Sequence, residues 1–206
     1  PLVAPKKYFD AYPLAEIVLP PKIPGDQNDI PQNPANRRTT DNYKMDLNQQ
    51  KGTLRAYYAS VSFVDALVGK ILGTLETTGQ RDNTIVIFTS DHGYHLGEHD
   101  LWQKVSIHEE SARVPLIICV PGKKTAVCHS LSELIDLYPT VSQLCGLKIP
   151  GNVQGKDISV MFDDPTVKVR DAALSSGKGR LLRTEKWALL DYGKKGELYD
   201  MEEDPK

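Results

Sequence analysis

No apolar run in this sequence approaches the roughly twenty residues needed to span a bilayer; the longest are 84–88 and 114–120. Charge bias is also missing. Twenty-five basic and 27 acidic residues leave a net charge of −2, so no strong field points to nucleic acid or an acidic membrane surface. Cysteine is scarce: Cys119, Cys128 and Cys145 form no Cys-x-x-Cys pair and no zinc-type spacing. Cys119 lies in an apolar run and reads as a small buried hydrophobe. A Cys128–Cys145 disulfide is left open by the spacing. The chain begins Pro1-Leu2-Val3-Ala4-Pro5, with neither a Met nor a secretory leader. We expect a piece of a longer protein, so the missing leader carries no information about compartment.

What is present suits a globular chain. Hydrophobic residues make up 40% and charged residues 25% of 206 residues, enough for one domain with a small appendage. Residues 1–47 are rich in Pro, Asn and Asp, with Pro20-Pro21, Pro24-Gly25, Pro31 and Pro34. They read as an ordered loop or arm, too long for a plain connection. Residues 48–150 read as an α/β core segment. Leu54, Tyr57, Tyr58, Val61, Val64, Leu67, Val68, Ile71, Leu72 and Leu75 recur in steps of three and four, predicting a long amphipathic helix that Gly79 caps. Residues 84–89 and 114–120 are short, β-branched and apolar on both faces, the pattern of buried parallel strands. Ser130 and Glu133 have capping-box spacing before a second helix, with Pro139 near its start or at a kink and Gly146 closing it. Residues 151–206 alternate short apolar runs with turns, predicting a small antiparallel β subdomain.

The chemistry concentrates in Thr89-Ser90-Asp91-His92-Gly93-Tyr94-His95-Leu96-Gly97-Glu98-His99-Asp100-Leu101-Trp102-Gln103-Lys104. This stretch starts at the C-terminal end of a core strand, where open α/β sheets bind ligands. A carboxylate beside an imidazole, Asp91 and His92, suits a divalent cation, and the carboxylate favours a hard one. Gly93 lets the backbone turn away without a side chain. Taken alone, Asp-His-Gly fits a helix cap and turn equally well. His95 reads as a loop residue rather than a ligand. Trp102 reads as a packing residue that can also wall a cleft.

Taken together, Ser90-Asp91-His92-Gly93, Leu96-Gly97-Glu98-His99 and Trp102-x-Lys104 resemble the type I sulfatases of the alkaline phosphatase superfamily. The helix segment Tyr57–Asp65, the strand Arg113–Ile117, Asp136-Leu137-Tyr138-Pro139-Thr140 with Gly146-Leu147, and Glu197-Leu198-Tyr199-Asp200 with Asp204-Pro205 agree in the same order. The arm residues Pro5–Phe9 and Tyr12-Pro13-Leu14 resemble the iduronate-2-sulfatase-like members. The resemblance implies part of an α/β/α sandwich and a hydrolase of sulfate esters on sulfated carbohydrate. It also implies one calcium ion, with Asp91 and His92 as two of its ligands and Lys104 bridging sulfate and leaving oxygen. Glu98, His99 and Trp102 would contact substrate, and Arg113 would be structural, in a buried ion pair. A periplasmic, extracellular or lysosomal setting follows from the same likeness.

The family's formylglycine motif, Cys/Ser-x-Pro/Ala-x-Arg, is absent: Cys119, Cys128 and Cys145 all lack that setting, and no serine has it. The nucleophile and the remaining metal ligands are therefore expected in an upstream portion of the same protein. Two alternatives stand beside this reading. One is a phosphodiesterase or phosphonate hydrolase of the same superfamily. The other is an inactive fragment with a structural or binding role.

Overall fold

The computed structural model describes residues 2–28, 30–31 and 36–203; Pro34, Asp204 and Pro205 lie outside the described residues. The N-terminal arm holds α1 (Lys6–Asp10) and α2 (Thr40–Tyr43), with single 3-10 turns between. The arm is thus less irregular than its proline content implies. It leads into α3 (Leu47–Thr77), which starts two turns earlier than the apolar periodicity shows. Those first turns are polar and are fixed by a capping box: the Asp46 carboxylate accepts the Gln49 N–H at 2.8 Å, and the Gln49 amide oxygen accepts the Asp46 N–H at 2.9 Å. Gly79, at φ +67°, supplies the left-handed residue that ends the helix.

The arm lies along the first half of α3. Tyr8 meets Phe63 and Tyr12 meets Tyr58 with ring centroids 5.3 and 5.6 Å apart, and Arg55 donates to the Phe9 carbonyl. Ile17, Leu54 and Trp102 form the buried centre of this packing. The second half of α3 is open, with Val64, Leu67 and Ile71 exposed. By length and apolar content α3 is a helix that could cross a membrane. Its apolar residues nevertheless follow one face, with Asp65 and Lys70 between them.

β1 (Val86–Thr89) ends at an acidic loop, which runs through β2 (His95–Leu96), β3 (Trp102–Gln103) and α4 (Glu109–Ala112) before entering β4 (Leu116–Cys119). The expected parallel arrangement is corrected: β1 and β4 pair antiparallel, with Thr89 opposite Leu116 and Val86 opposite Cys119. The loop leaves and re-enters the sheet at the same end, so β4 must run back along β1. The two strands are also not buried on both faces. Phe88 and Ile117, register partners, are both exposed, and Cys119 shares that open face instead of being buried.

The second helix, α5 (Leu137–Leu144), carries Pro139 in its first turn. Its predicted capping box is displaced by three residues. Glu133 and Asp136 form the reciprocal pair, while Ser130 donates to the Val167 carbonyl. Cys128 and Cys145 are separate free thiols. The C-terminal region is a meander of β5 (Ala173–Ser176), β6 (Arg180–Arg183), β7 (Trp187–Asp191) and β8 (Gly196–Asp200) in sequential antiparallel order. Leu181, Ala188 and Leu190 from one face of this sheet bury Ile107 from the acidic loop. That contact seats the loop between the arm and the sheet.

Candidate active site

The site begins where β1 stops. Ser90 donates to the His92 carbonyl at 2.8 Å, and the Asp91 carboxylate accepts the His92 N–H at 3.1 Å, so the strand end is closed into a tight turn. Gly93 then crosses α4: its N–H donates to the Ser111 carbonyl at 2.8 Å. A Cβ here would lie 2.0 Å from the Glu110 carbonyl oxygen, so only glycine fits.

Asp91, His92 and Lys104 converge. His92 donates from Nδ1 to the Gly93 carbonyl at 2.8 Å, which fixes the tautomer and leaves the Nε2 lone pair outward. Lys104 Nζ lies 2.7 Å from that Nε2, and Asp91 Oδ2 lies 3.6 Å from it. The Asp91 side chain is 84% exposed, and that of His92 34%. An open carboxylate, a bare imidazole nitrogen and an ammonium thus share one exposed strand edge. As donors, Asp91 and His92 suit a hard divalent cation, but among the described residues no three His, Cys, Asp or Glu side chains are grouped to hold one. The pair fits as part of a ligand set, not as a complete one.

The other sequence candidates lie elsewhere in the loop. Glu98 accepts the Leu96 N–H at 2.6 Å, closing the loop on itself. Trp102 is buried at 3% exposure, and its indole N–H donates to Thr40 Oγ1 at 2.9 Å. Arg113 is not in a buried pair: its side chain is 81% exposed and 4.0 Å from Glu109, which instead meets Arg183 at 3.0 Å.

His99 is enclosed, with Nδ1 3.2 Å from Asp26 Oδ2 and Nε2 3.9 Å from Glu110 Oε2. Its ring lies 4.7 Å from that of His108. His108, buried at 3%, meets Glu197 at 2.9 Å, and Tyr199 donates to the same Glu197 oxygen at 2.6 Å. Burial raises the Glu197 carboxyl, but the hydrogen bond and charge of His108 outweigh it and the pKa falls below the usual range. Burial, and then Glu197, push the Tyr199 phenol up. This polar cluster joins arm, loop and C-terminal sheet. Sequence reading missed His108, Asp26 and Glu110, and saw Glu197 only as part of the Glu197–Asp200 motif, with no role in the site. The available signal was the two-residue spacing of Glu197 and Tyr199, which puts both on one face of a strand. Beside the cluster, Glu98 and His99 border a cavity of about 300 Å³, together with Lys22, Asp26, Asp100 and Glu110.

Two family models match the chain: "Sulfatase" over residues 20–147 and "N-sulphoglucosamine sulphohydrolase, C-terminal" over residues 97–206. An arylsulfatase of Clostridium perfringens is 32% identical over 227 residues, covering 100% of this chain and 45% of that protein. Human iduronate 2-sulfatase is 30% identical over 189 residues, covering 73% of the chain and 34% of that protein. Among solved structures, a phosphonate monoester hydrolase from Silicibacter pomeroyi superposes with a TM-score of 0.86 at 24% identity, over 98% of this chain and 48% of its own. The chain thus spans less than half the length of these relatives. Its fold is that of the alkaline-phosphatase-like sulfatases, and the chain belongs to the sulfatase family.

Proposed function

We propose that this chain supplies the downstream half of a sulfuric ester hydrolase site that cleaves sulfate from a sulfated sugar. The convergence of Asp91, His92 and Lys104 carries the reading. Asp91 and His92 would hold one calcium ion with further ligands from an upstream portion of the same protein. Bound there, the ion would neutralise the sulfate oxygens. The formylglycine nucleophile would come from the same portion. The Nε2 lone pair of His92 serves one partner at a time, so the Lys104 ammonium now on it would be free for an anion if His92 turned that lone pair to a cation. Lys104 then stands as a fixed positive charge where negative charge grows on the leaving ester oxygen.

Glu98 and His99 are read as contacts to the non-reacting part of the substrate. Four carboxylates border their cavity against one lysine, an environment that repels sulfate and accepts hydrogen bonds from sugar hydroxyls. Trp102 supports that wall from beneath rather than forming its surface. The likeness to sulfatases supports a periplasmic, extracellular or lysosomal setting.

The test is sulfate release from a sulfated glucosamine by the full-length protein. Lys104→Ala should lower kcat by about 10²–10³-fold, the usual loss of one charge-stabilising donor. Unchanged turnover in that variant would remove Lys104 from the chemistry. A second reading, phosphonate ester hydrolysis, is favoured by the superposition on a phosphonate monoester hydrolase. Preferential hydrolysis of a phenyl phosphonate ester over the sulfate ester would establish it instead.

A further inference from the structure

We infer that Arg38 and Gln103 are positioning residues that aim Lys104 at the site; naming Lys104 as their target rests on the sulfatase reading. Lys104 is exposed, and a lysine side chain has four rotatable bonds. Packing on the side chain does not fix its direction, so the direction must come from the backbone that launches it. That backbone is unusual. Gln103 sits at φ +72°, in the left-handed region that a side chain bearing a Cβ enters only under strain.

The residues just before it are held firmly. Leu101 bridges Thr39, the Trp102 N–H donates to the Arg38 carbonyl at 2.8 Å, and both Leu101 and Trp102 are buried. The strand therefore arrives in a fixed position, and the left-handed turn at Gln103 sends Lys104 back towards His92, where Nζ comes within 2.7 Å of Nε2. Such a turn persists only where the surroundings enforce it. The Arg38 guanidinium does so by donating from Nη1 to the Gln103 side-chain oxygen. One arm residue thus grips β3 twice, through its carbonyl at Trp102 and through its side chain at Gln103. A flexible ammonium becomes a directed one.

The test is the nuclear Overhauser effect between the Lys104 side chain and the His92 ring in the full chain, with no sulfate ester present. Arg38→Met, which cannot donate, should abolish it, and Arg38→Lys, which can, should restore it. The Trp102 indole N–H signal should stay in place in both variants, because its bond to Thr40 is untouched. Persistence of the effect in Arg38→Met overturns the inference. So does its loss together with a displaced Trp102 signal in both variants, which would mark Arg38 as a general fold contact. If Arg38→Met does not fold, Gln103→Met removes the acceptor instead, and there retention overturns and loss with Trp102 in place supports. These signals do not depend on turnover. An intact aiming result, together with no sulfate release by the full-length protein that includes the upstream portion, would retire the sulfatase reading and leave the positioning in force.

Discussion

His95 is 1% exposed, with Nε2 2.5 Å from Ser106 Oγ. Burial, then the neighbouring His108 and His99, push its pKa down to about 3. The unfolded chain would bind that proton near pH 6.5, so folding favours the neutral ring. Stability from this residue is therefore complete above about pH 6.5 and is lost as pH falls towards 3, with a slope of about 1.4 kcal/mol per pH unit from one proton. His95→Gln should flatten the acid limb between pH 6.5 and 4.5 by that slope, read from urea midpoints at successive pH values. An unchanged slope would mean that His95 does not stay neutral. The sequence offered only a loop histidine here, because the burying partners Ser106 and His108 come from the other side of β3. Asp136 shows the opposite case. It is fully buried, and its carboxylate accepts the Lys156 N–H at 2.7 Å, the Glu133 N–H at 2.8 Å and Arg170 Nε at 2.8 Å. Burial raises its pKa, but Arg170 and the two backbone donors win and hold it below the usual range. The residue was legible as part of Asp136–Thr140, though the partner 34 positions away was not. Asp136→Asn should cost about 2 kcal/mol in chemical denaturation, since it removes one of the two carboxylates that pair the Arg170 guanidinium and leaves Glu133, 3.1 Å away, as the other.

α3 shows which features of an element a sequence encodes. Its apolar steps exposed the segment 54–75, yet residues 48–53 hold no apolar side chain and show no period. Only the Asp46-x-x-Gln49 spacing marks the true start, and cap chemistry rather than burial sets it. Asp46→Ala should cost about 1 kcal/mol, measured as a lower urea midpoint at unchanged m-value. A neutral result would show that packing of the arm alone fixes the first turn. β1 and β4 carry the complementary lesson. Their apolar character was plain, but direction is not written in composition. It depends on where the intervening loop returns, and this loop comes back to the end it left. The open faces of Phe88, Ile117 and the second half of α3 have the same origin, since a residue pattern states that a face is apolar and not what covers it.

At the scale of the whole molecule, the candidate site divides into residues whose proximity was legible and residues whose proximity was not. Asp91, His92 and Lys104 lie within fourteen residues on one strand–loop–strand passage, so local spacing brought them into view. The His108–Glu197 contact that seats the same loop spans 89 positions and leaves no local trace. The site is also divided in a physical sense. The chain spans less than half the length of its relatives, and on the proposed reading its described residues would offer only two protein donors, where a calcium ion takes six to eight oxygens. Water would have to stand in for each missing donor, so the chelate gain that makes a tight site would be lost. Calcium titrated into the 206-residue chain by calorimetry should bind with a Kd weaker than about 10⁻³ M, beyond the range of dedicated protein sites. Asp91→Asn should abolish the residual heat. Micromolar binding that survives Asp91→Asn would instead place the ion elsewhere in the chain, and micromolar binding that depends on Asp91 would mean that this half assembles a ligand set its own side chains do not account for.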